Sequence, residues 1–278
     1  MPGTPHMLSG AARLAGVIGW PVSHSRSPRL HGHWLAALGI DGAYLPLPVR
    51  PGDLAIAVRG LQAAGFAGLN VTIPHKQAVM ALCDHIDPAA ARIGAVNTLV
   101  FGPGGVAGSN TDGIGFIANL RAHGVNPATG PALLLGAGGA ARAIAAALLD
   151  AGVPVSVCNR TPEHAEALAA ALTGIRLVPW AKRAAALADQ ALLVNTTQLG
   201  MTGQPPLDLP LDGAATGLVV SDIVYAPLET PLLAAARARG LRTVSGIGML
   251  LHQAVPGFAA WFGVTPRVDQ ALQDAVLQ

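Results

Sequence analysis

Cysteine and charge are both scarce in this chain, and each scarcity removes a class of function. The two cysteines, Cys83 and Cys158, lie far apart and outside any C-x-x-C spacing. No disulfide framework is encoded, and the expectation is a pair of buried thiols in a reducing compartment. Charged residues are 12% of the 278, the formal net charge is +2, and no run of Lys and Arg occurs. Nucleic acid and anionic membranes therefore find no electrostatic footprint. Long apolar runs are missing as well: the most apolar later region is interrupted by Arg142 and Asp150, short of the ~20 apolar residues that a span needs. The opening MPGTPHMLSGAARLAG lacks the basic start and sustained apolar core of a signal peptide. The expectation is a cytoplasmic protein with no nucleic-acid and no membrane partner.

Metal-ligand patterns are also wanting. His31 and His33 stand two apart on a predicted helix and face different directions. Cys83 and His85 have no further ligands in a consistent arrangement, so no metal is expected. No repeat with a period of ~20–50 residues appears, nor any low-complexity segment beyond alanine enrichment.

What the chain does have is glycine, proline and apolar residues: 34 Gly, 22 Pro and 51% hydrophobic, the profile of a compact, turn-rich α/β protein. From Leu14 onward, short strand-like runs alternate with helical patterns. RLAGVIG reads as a strand. SPRLHGHWLAALG reads as a helix opened by Ser27, with Pro28 at its first position and Gly39 closing it. AYLPLPV is extended, PGDLAIAVRGLQAAG is helical to Gly65, and AGLNVTI is a strand. This order implies parallel strands with crossover helices. After Asp84 the style changes: AARIGAVNTLVF, GPGG and VAGSN read as a helix end and a hairpin, so the first sheet is expected to be mixed. TDGIGFIANLRAHG is a connecting helix. A second series begins at Pro131, with strands at ALLLG, VPVSVCN, ALLVNTT, GLVVSDIVY and LRTVSG. Two α/β domains with a cleft between them is the simplest arrangement.

The second series opens on LLLGAGGAARAIAAALLDAG. Gly136, Gly138 and Ala141 form a G-x-G-x-x-A pattern at a strand-to-helix turn, where the residues allow a tight turn, close backbone approach to a pyrophosphate and close helix–strand packing. The helix N-terminus offers its unpaired N–H groups to the phosphates. At the end of the next strand, Arg160 stands where an NAD site would carry an acid. A guanidinium suits a 2′-phosphate that an acid would repel, so NADP is the expected cofactor.

In the first half, GWPVSHSRSP, NVTIPHK, GAVNT and GSNTD each end a predicted strand or begin a helix. They bring hydroxyls, side-chain amides, a lysine and an aspartate to one edge of the sheet, as a polyhydroxylated small-molecule substrate would require. Together with NRT, NTTQLGM, DIVYAPLET and GIGMLLHQA, in this order, these blocks resemble the shikimate dehydrogenase family over nearly the whole chain. The resemblance implies reversible NADPH-dependent reduction of 3-dehydroshikimate to shikimate, in aromatic amino-acid biosynthesis. It implies an N-terminal α/β substrate domain with a mixed, mainly parallel sheet (1–111 and 247–278) and a Rossmann-type NADP-binding domain (112–246), in a monomer or homodimer.

By resemblance, Lys76 and Asp112 are the catalytic pair. Ser25 and Ser27 bind the substrate carboxylate. Asn70, Thr72, Asn97 and Gln253 take ring hydroxyls, with Tyr225 close by. The cofactor falls to Gly136, Ala137, Gly138, Gly139, Ala140 and Ala141, to Asn159, Arg160 and Thr161, and to Thr196, Gly246 and Met249. His164 stands where many NADP-using members carry a second basic residue. The alternatives are a quinate/shikimate dehydrogenase with broader substrate range and NAD use, and a non-catalytic ligand-binding regulator. The regulator would be expected to have lost Lys76 or Asp112, and both are present.

Overall fold

The computed structural model describes residues 7–278. The chain divides into two compact units, one running to Thr111 and resuming at Gln253–Gln278, the other Asp112–His252.

The first unit is built on β1 (Arg13–Gly19), α1 (Ser27–Ala37), β2 (Gly42–Pro48), α2 (Leu54–Ala63), β3 (Gly68–Val71), β4 (His85–Ile86), α3 (Pro88–Ile93), β5 (Thr98–Gly102) and β6 (Gly105–Ser109). Its six-stranded sheet has the order β2-β1-β3-β5-β6-β4. Strands β2, β1 and β3 are parallel, and β5 runs antiparallel to both β3 and β6, so the sheet is mixed. Strand β3 stops at Val71 rather than Ile73, three residues before Pro74, which has no N–H to give a ladder. Helix α1 starts one residue earlier than expected: Ser27 is its first residue, Arg26 holds the cap position, and no side chain caps it. The two-residue strand β4 was not legible, since so short a piece has no period.

The second unit contains α4 (Asp112–Ala122), β7 (Ala132–Leu135), α5 (Gly139–Asp150), β8 (Val155–Cys158), α6 (Pro162–Ala171), β9 (Ile175–Leu177), β10 (Leu192–Asn195), β11 (Val219–Asp222), α7 (Pro231–Ala238) and β12 (Arg242–Val244). Its sheet order is β12-β11-β10-β7-β8-β9 with every pair parallel. This is the dinucleotide-fold order, in which the chain switches direction across the sheet beside its first strand. β7, β8 and β10 are buried at every position, as strands covered on both faces must be. The edge strand β9 was missed because two of its three residues are exposed and carry no apolar run.

Helix α8 (Ile247–Phe262) begins in the second unit and ends in the first, where α9 (Gln270–Leu277) follows. The expected seam after residue 246 is the start of this helix; the units divide within it, between His252 and Gln253. Its first-unit half is anchored by Trp261, whose Nε1 donates to the Leu99 carbonyl at 2.9 Å. Gly68 makes that approach possible, because a Cβ there would meet the indole Cδ1 at 2.7 Å. Helix α9 is held to α1 by the Arg26 guanidinium on the Val276 carbonyl and by Trp34 Nε1 on the Arg267 carbonyl, both 2.9 Å.

Candidate active site

The first unit gathers its polar residues at the C-terminal ends of β1 and β3. Trp20 N donates to the Ile73 carbonyl and Thr72 N to the Ile18 carbonyl, both at 3.0 Å, so the loop after β1 and the turn after β3 lie together. Gly19 is required there: a Cβ would collide with the Thr72 methyl. In the β1 loop, Ser25 Oγ accepts from Ser27 N at 3.3 Å; Ser25 is half-buried and Ser27 buried. Lys76 is half-buried, and its carbonyl accepts from Val96 N at 2.8 Å, which ties NVTIPHK to GAVNT. The neighbouring His75 is buried, with Nε2 at 2.7 Å from the Val49 carbonyl.

Asn70, Asn97 and Gln253 come together through residues that the sequence did not single out. Asn97 Oδ1 accepts from Thr111 N at 2.9 Å and from Thr98 Oγ1 at 2.9 Å. Asn97 Nδ2 donates to Thr111 Oγ1 at 3.0 Å and lies 3.4 Å from Gln253 Oε1. Thr111 Oγ1 donates to the Gln253 carbonyl at 2.8 Å. Asn70 Nδ2 lies 3.3 Å from Thr98 Oγ1, and Asn70 Oδ1 accepts from the Tyr44 hydroxyl at 2.6 Å. Thr111 stands in GSNTD beside Asp112, and Thr98 in GAVNT beside Asn97; Tyr44 carries no motif signal.

Beneath Tyr44 is His31. Their rings stack with centroids 3.9 Å apart and planes 4° apart, and Trp34, Phe258 and Trp261 surround the imidazole. Both ring nitrogens are buried with no hydrogen-bond partner. Burial lowers the His31 pKa to about 3, because a charged imidazole among apolar rings is poorly solvated. Burial likewise pushes the Tyr44 phenol well above its ordinary value, against a hydrogen bond from Ser27.

In the second unit, the candidate cofactor residues fall at the C-terminal ends of neighbouring parallel strands. Gly136 follows β7 with φ +109°, and a Cβ there would meet Thr196 Oγ1 at 2.5 Å. That hydroxyl donates to the Leu135 carbonyl at 2.7 Å, so Thr196, at the end of β10, braces the glycine turn. A Cβ on Gly138 would meet open space. Backbone that can be approached this closely at the head of α5 fits a pyrophosphate. Ala137, Gly139 and Ala140 are half-buried and Ala141 is buried. Asn159, Arg160 and Thr161 follow β8; Arg160 is exposed, and Asn159 Nδ2 donates to the Thr161 carbonyl at 2.8 Å. Gly246, after β12, lies against the backbone of Ile223 and Val224, where a Cβ would meet the Val224 carbonyl at 2.8 Å. This brings the segment bearing half-buried Tyr225 beside the start of α8, and Met249 is buried on that helix. Asp112 heads α4 and is buried.

A buried network that the sequence did not reveal holds these loops. Asp222 accepts from Asn195 Nδ2 and Val224 N at 3.0 Å and from Thr230 Oγ1 at 2.7 Å. Burial raises its pKa, opposed by those three bonds. The thiols are favoured in their protonated form by the same physics: burial pushes Cys158 up to about 11 and also raises Cys83. Cys83 is only half-buried, against the expectation of two buried thiols. Among the described residues no group of three or more His, Cys, Asp or Glu could hold a metal ion, and no helix is long and apolar enough to cross a membrane.

The family model described as the shikimate dehydrogenase substrate binding domain matches residues 17–99, and that described as shikimate / quinate 5-dehydrogenase matches residues 121–199. A shikimate dehydrogenase (NADP(+)) of Acidiphilium cryptum is 69% identical, over 97% of this chain and 98% of its own. The chain belongs to the shikimate dehydrogenase family. Among solved members of the family, the Thermus thermophilus shikimate 5-dehydrogenase, in complex with NADP(H) and shikimate, has a TM-score of 0.87 at 39% identity, covering 95% of this chain and 98% of that one. A quinate dehydrogenase of Corynebacterium glutamicum, in complex with NAD, has a TM-score of 0.89 at 32% identity, covering 96% and 99%. The first family match contains Ser25, Ser27, Asn70, Thr72, Lys76 and Asn97; the second contains the glycine turn, Arg160 and Thr196.

Proposed function

We propose that the chain catalyses the reversible NADPH-dependent reduction of 3-dehydroshikimate to shikimate in the shikimate pathway. The observation that carries this reading is the hydrogen-bonded set of Asn70, Asn97 and Gln253, a group of side-chain amides suited to a polyhydroxylated ring. NADP(H), when bound, supplies or accepts the hydride. Gly136–Ala141 and the N-terminus of α5 would hold its pyrophosphate, and Arg160 its 2′-phosphate. Ser25 and Ser27 read the substrate carboxylate, and Asn70, Thr72, Asn97 and Gln253 its hydroxyls, with Tyr225 beside them.

Lys76 is the proposed proton donor. Its ammonium stabilises the alkoxide that develops as the carbonyl is reduced and then protonates it; in the reverse direction it takes the proton back. Asp112 is its proposed partner, holding the lysine in place. The proposed compartment is the cytoplasm, in keeping with two free cysteines kept as protonated thiols.

A second reading, a quinate/shikimate dehydrogenase that uses NAD, is favoured by the likeness to the NAD-bound quinate dehydrogenase and opposed by Arg160. Purified protein assayed with shikimate and quinate, each with NADP and NAD, decides between them. Shikimate with NADP should give the highest kcat/KM; a higher value for quinate with NAD overturns the first reading.

A further inference from the structure

The hydrogen bonds around Asn70 have a direction, and a backbone group sets it. Thr111 N–H can only donate, so Asn97 must turn its carbonyl oxygen toward it, at 2.9 Å. The same oxygen receives the Thr98 hydroxyl proton at 2.9 Å. A hydroxyl has a single proton, so Thr98 Oγ1 faces Asn70 as an acceptor and Asn70 must present Nδ2, 3.3 Å away. Asn70 Oδ1 therefore points the other way, to the Tyr44 hydroxyl at 2.6 Å, which donates. The polarity runs unbroken from the Thr111 amide through Asn97, Thr98 and Asn70 to Tyr44.

The sheet register makes the reach possible. Asn70 pairs with Thr98 across β3 and β5 and with Val17 on β1, while Tyr44 on β2 pairs with Ala15 on β1. Ala15 and Val17 are two apart and share a face, so Tyr44 and Asn70 lie on that face with β1 between them. The small Ala15 lies on the path of the phenol. The ring is held from the other side by His31, stacked at 3.9 Å. Tyr44 and Asn70 are both buried.

We propose that Tyr44 is a positioning residue for substrate: its phenol, donating to Asn70 Oδ1 and braced by the His31 ring, locks the Asn70 amide so that its carbonyl oxygen accepts from a substrate ring hydroxyl. An amide carbonyl has two acceptor sites, and Tyr44 occupies one. Without the phenol, the amide is held only at its NH2 edge, by the Thr98 hydroxyl and the Asn97 carbonyl, both at 3.3 Å, and the carbonyl edge loses the donor that fixes its direction. The inference rests on the reading that Asn70 contacts the substrate.

The test uses three single variants, Tyr44→Phe, Thr98→Val and Asn70→Ala, and the double variant Tyr44→Phe/Asn70→Ala, each assayed with shikimate and NADP. Tyr44→Phe keeps the ring and its stack on His31 and removes one hydroxyl. It should raise KM for shikimate about five- to thirtyfold, the range expected for about 1–2 kcal/mol, with kcat within about twofold and NADP affinity unchanged. Thr98→Val removes the acceptor at the other end of the amide and should raise KM in the same sense by a smaller factor. In the Asn70→Ala background, Tyr44→Phe should raise KM several-fold less than in the parent, because the amide it orients is gone and only the bond with Ser27 is lost. A merely structural tyrosine would instead cost the same in both backgrounds, and that additivity overturns the inference. So does a KM unchanged in both Tyr44→Phe and Thr98→Val while Asn70→Ala raises it. If Asn70→Ala itself leaves KM for shikimate untouched, the Asn70 contact fails, and with it the inference.

Discussion

Lys76 follows a strand, a proline and a buried histidine, and its own backbone is tied to Val96. It stands on a braced turn rather than a loose loop, as a group that must meet a developing charge within a fraction of an ångström requires. If it transfers the proton, Lys76→Ala should lower kcat ~10²–10⁴-fold, with NADP affinity hardly changed. Lys76→Arg separates proton transfer from charge, since a guanidinium keeps its proton near neutral pH. It should be nearly as slow as alanine while calorimetry still detects shikimate binding. A kcat within about tenfold of the parent, or ~1.4 kcal/mol of barrier, would leave the lysine only a stabilising charge. His31 poses the opposite problem, a titratable ring fully buried among aromatic side chains. Its pKa of about 3 in the fold lies below the ~6.5 of an unfolded histidine. Its contribution to stability is therefore complete above pH ~6.5 and is lost as pH falls toward 3, because the unfolded chain takes up the proton first. Between pH 7 and 5 this amounts to about 2 kcal/mol. His31→Phe should lose that much less stability over the same interval in urea unfolding, and equal losses in parent and variant would show that His31 is not the group responsible.

At the scale of elements, the end of β8 carries the residue proposed to choose the cofactor. The strand is fully buried and delivers Asn159, Arg160 and Thr161 directly to the C-terminal edge of the sheet, next to β7 and its glycine turn. Asn159 is occupied with the Thr161 carbonyl, which shapes the turn, while the Arg160 side chain is exposed. Arg160→Ala should weaken NADP by ~1.5–3 kcal/mol, roughly one to two decades in Kd, and leave NAD within about twofold, since only NADP carries the 2′-phosphate. Fluorescence titration with both cofactors measures it; equal losses would mean that Arg160 holds the turn instead. The expectation for Arg160 could be formed from sequence because it concerns a single position after a strand. The Asn195–Asp222–Thr230 network was not legible, although NTTQLGM and DIVYAPLET were both quoted for their motifs. Its members are 8 to 35 residues apart, and only the parallel pairing of β10 with β11 sets Asn195 beside Asp222.

At the scale of the whole molecule, local chemistry and global geometry divide the information between them. Period, caps and turn residues belong to short windows, so the alternation of strands and helices, the hairpin at GPGG and the glycine turn could all be read from the chain. Gly136 is one case: its φ of +109° is a local demand that selects glycine. What windows of that length cannot contain is which distant groups share a buried volume. Gly68 looked like any strand glycine until Trp261, far along the chain, came to lie on it. Tyr44 carried no motif and His31 stood out only as a poor metal-ligand candidate, and their importance comes from a sheet register that sets Tyr44 level with Ala15 and from the ring stack between them. The same holds for the amides: Asn70, Asn97 and Gln253 were nameable one by one, but the direction of the hydrogen bonds joining them begins at a backbone N–H of Thr111. Pairing, burial and hydrogen-bond polarity are properties of neighbours in space, and only the folded chain supplies those neighbours.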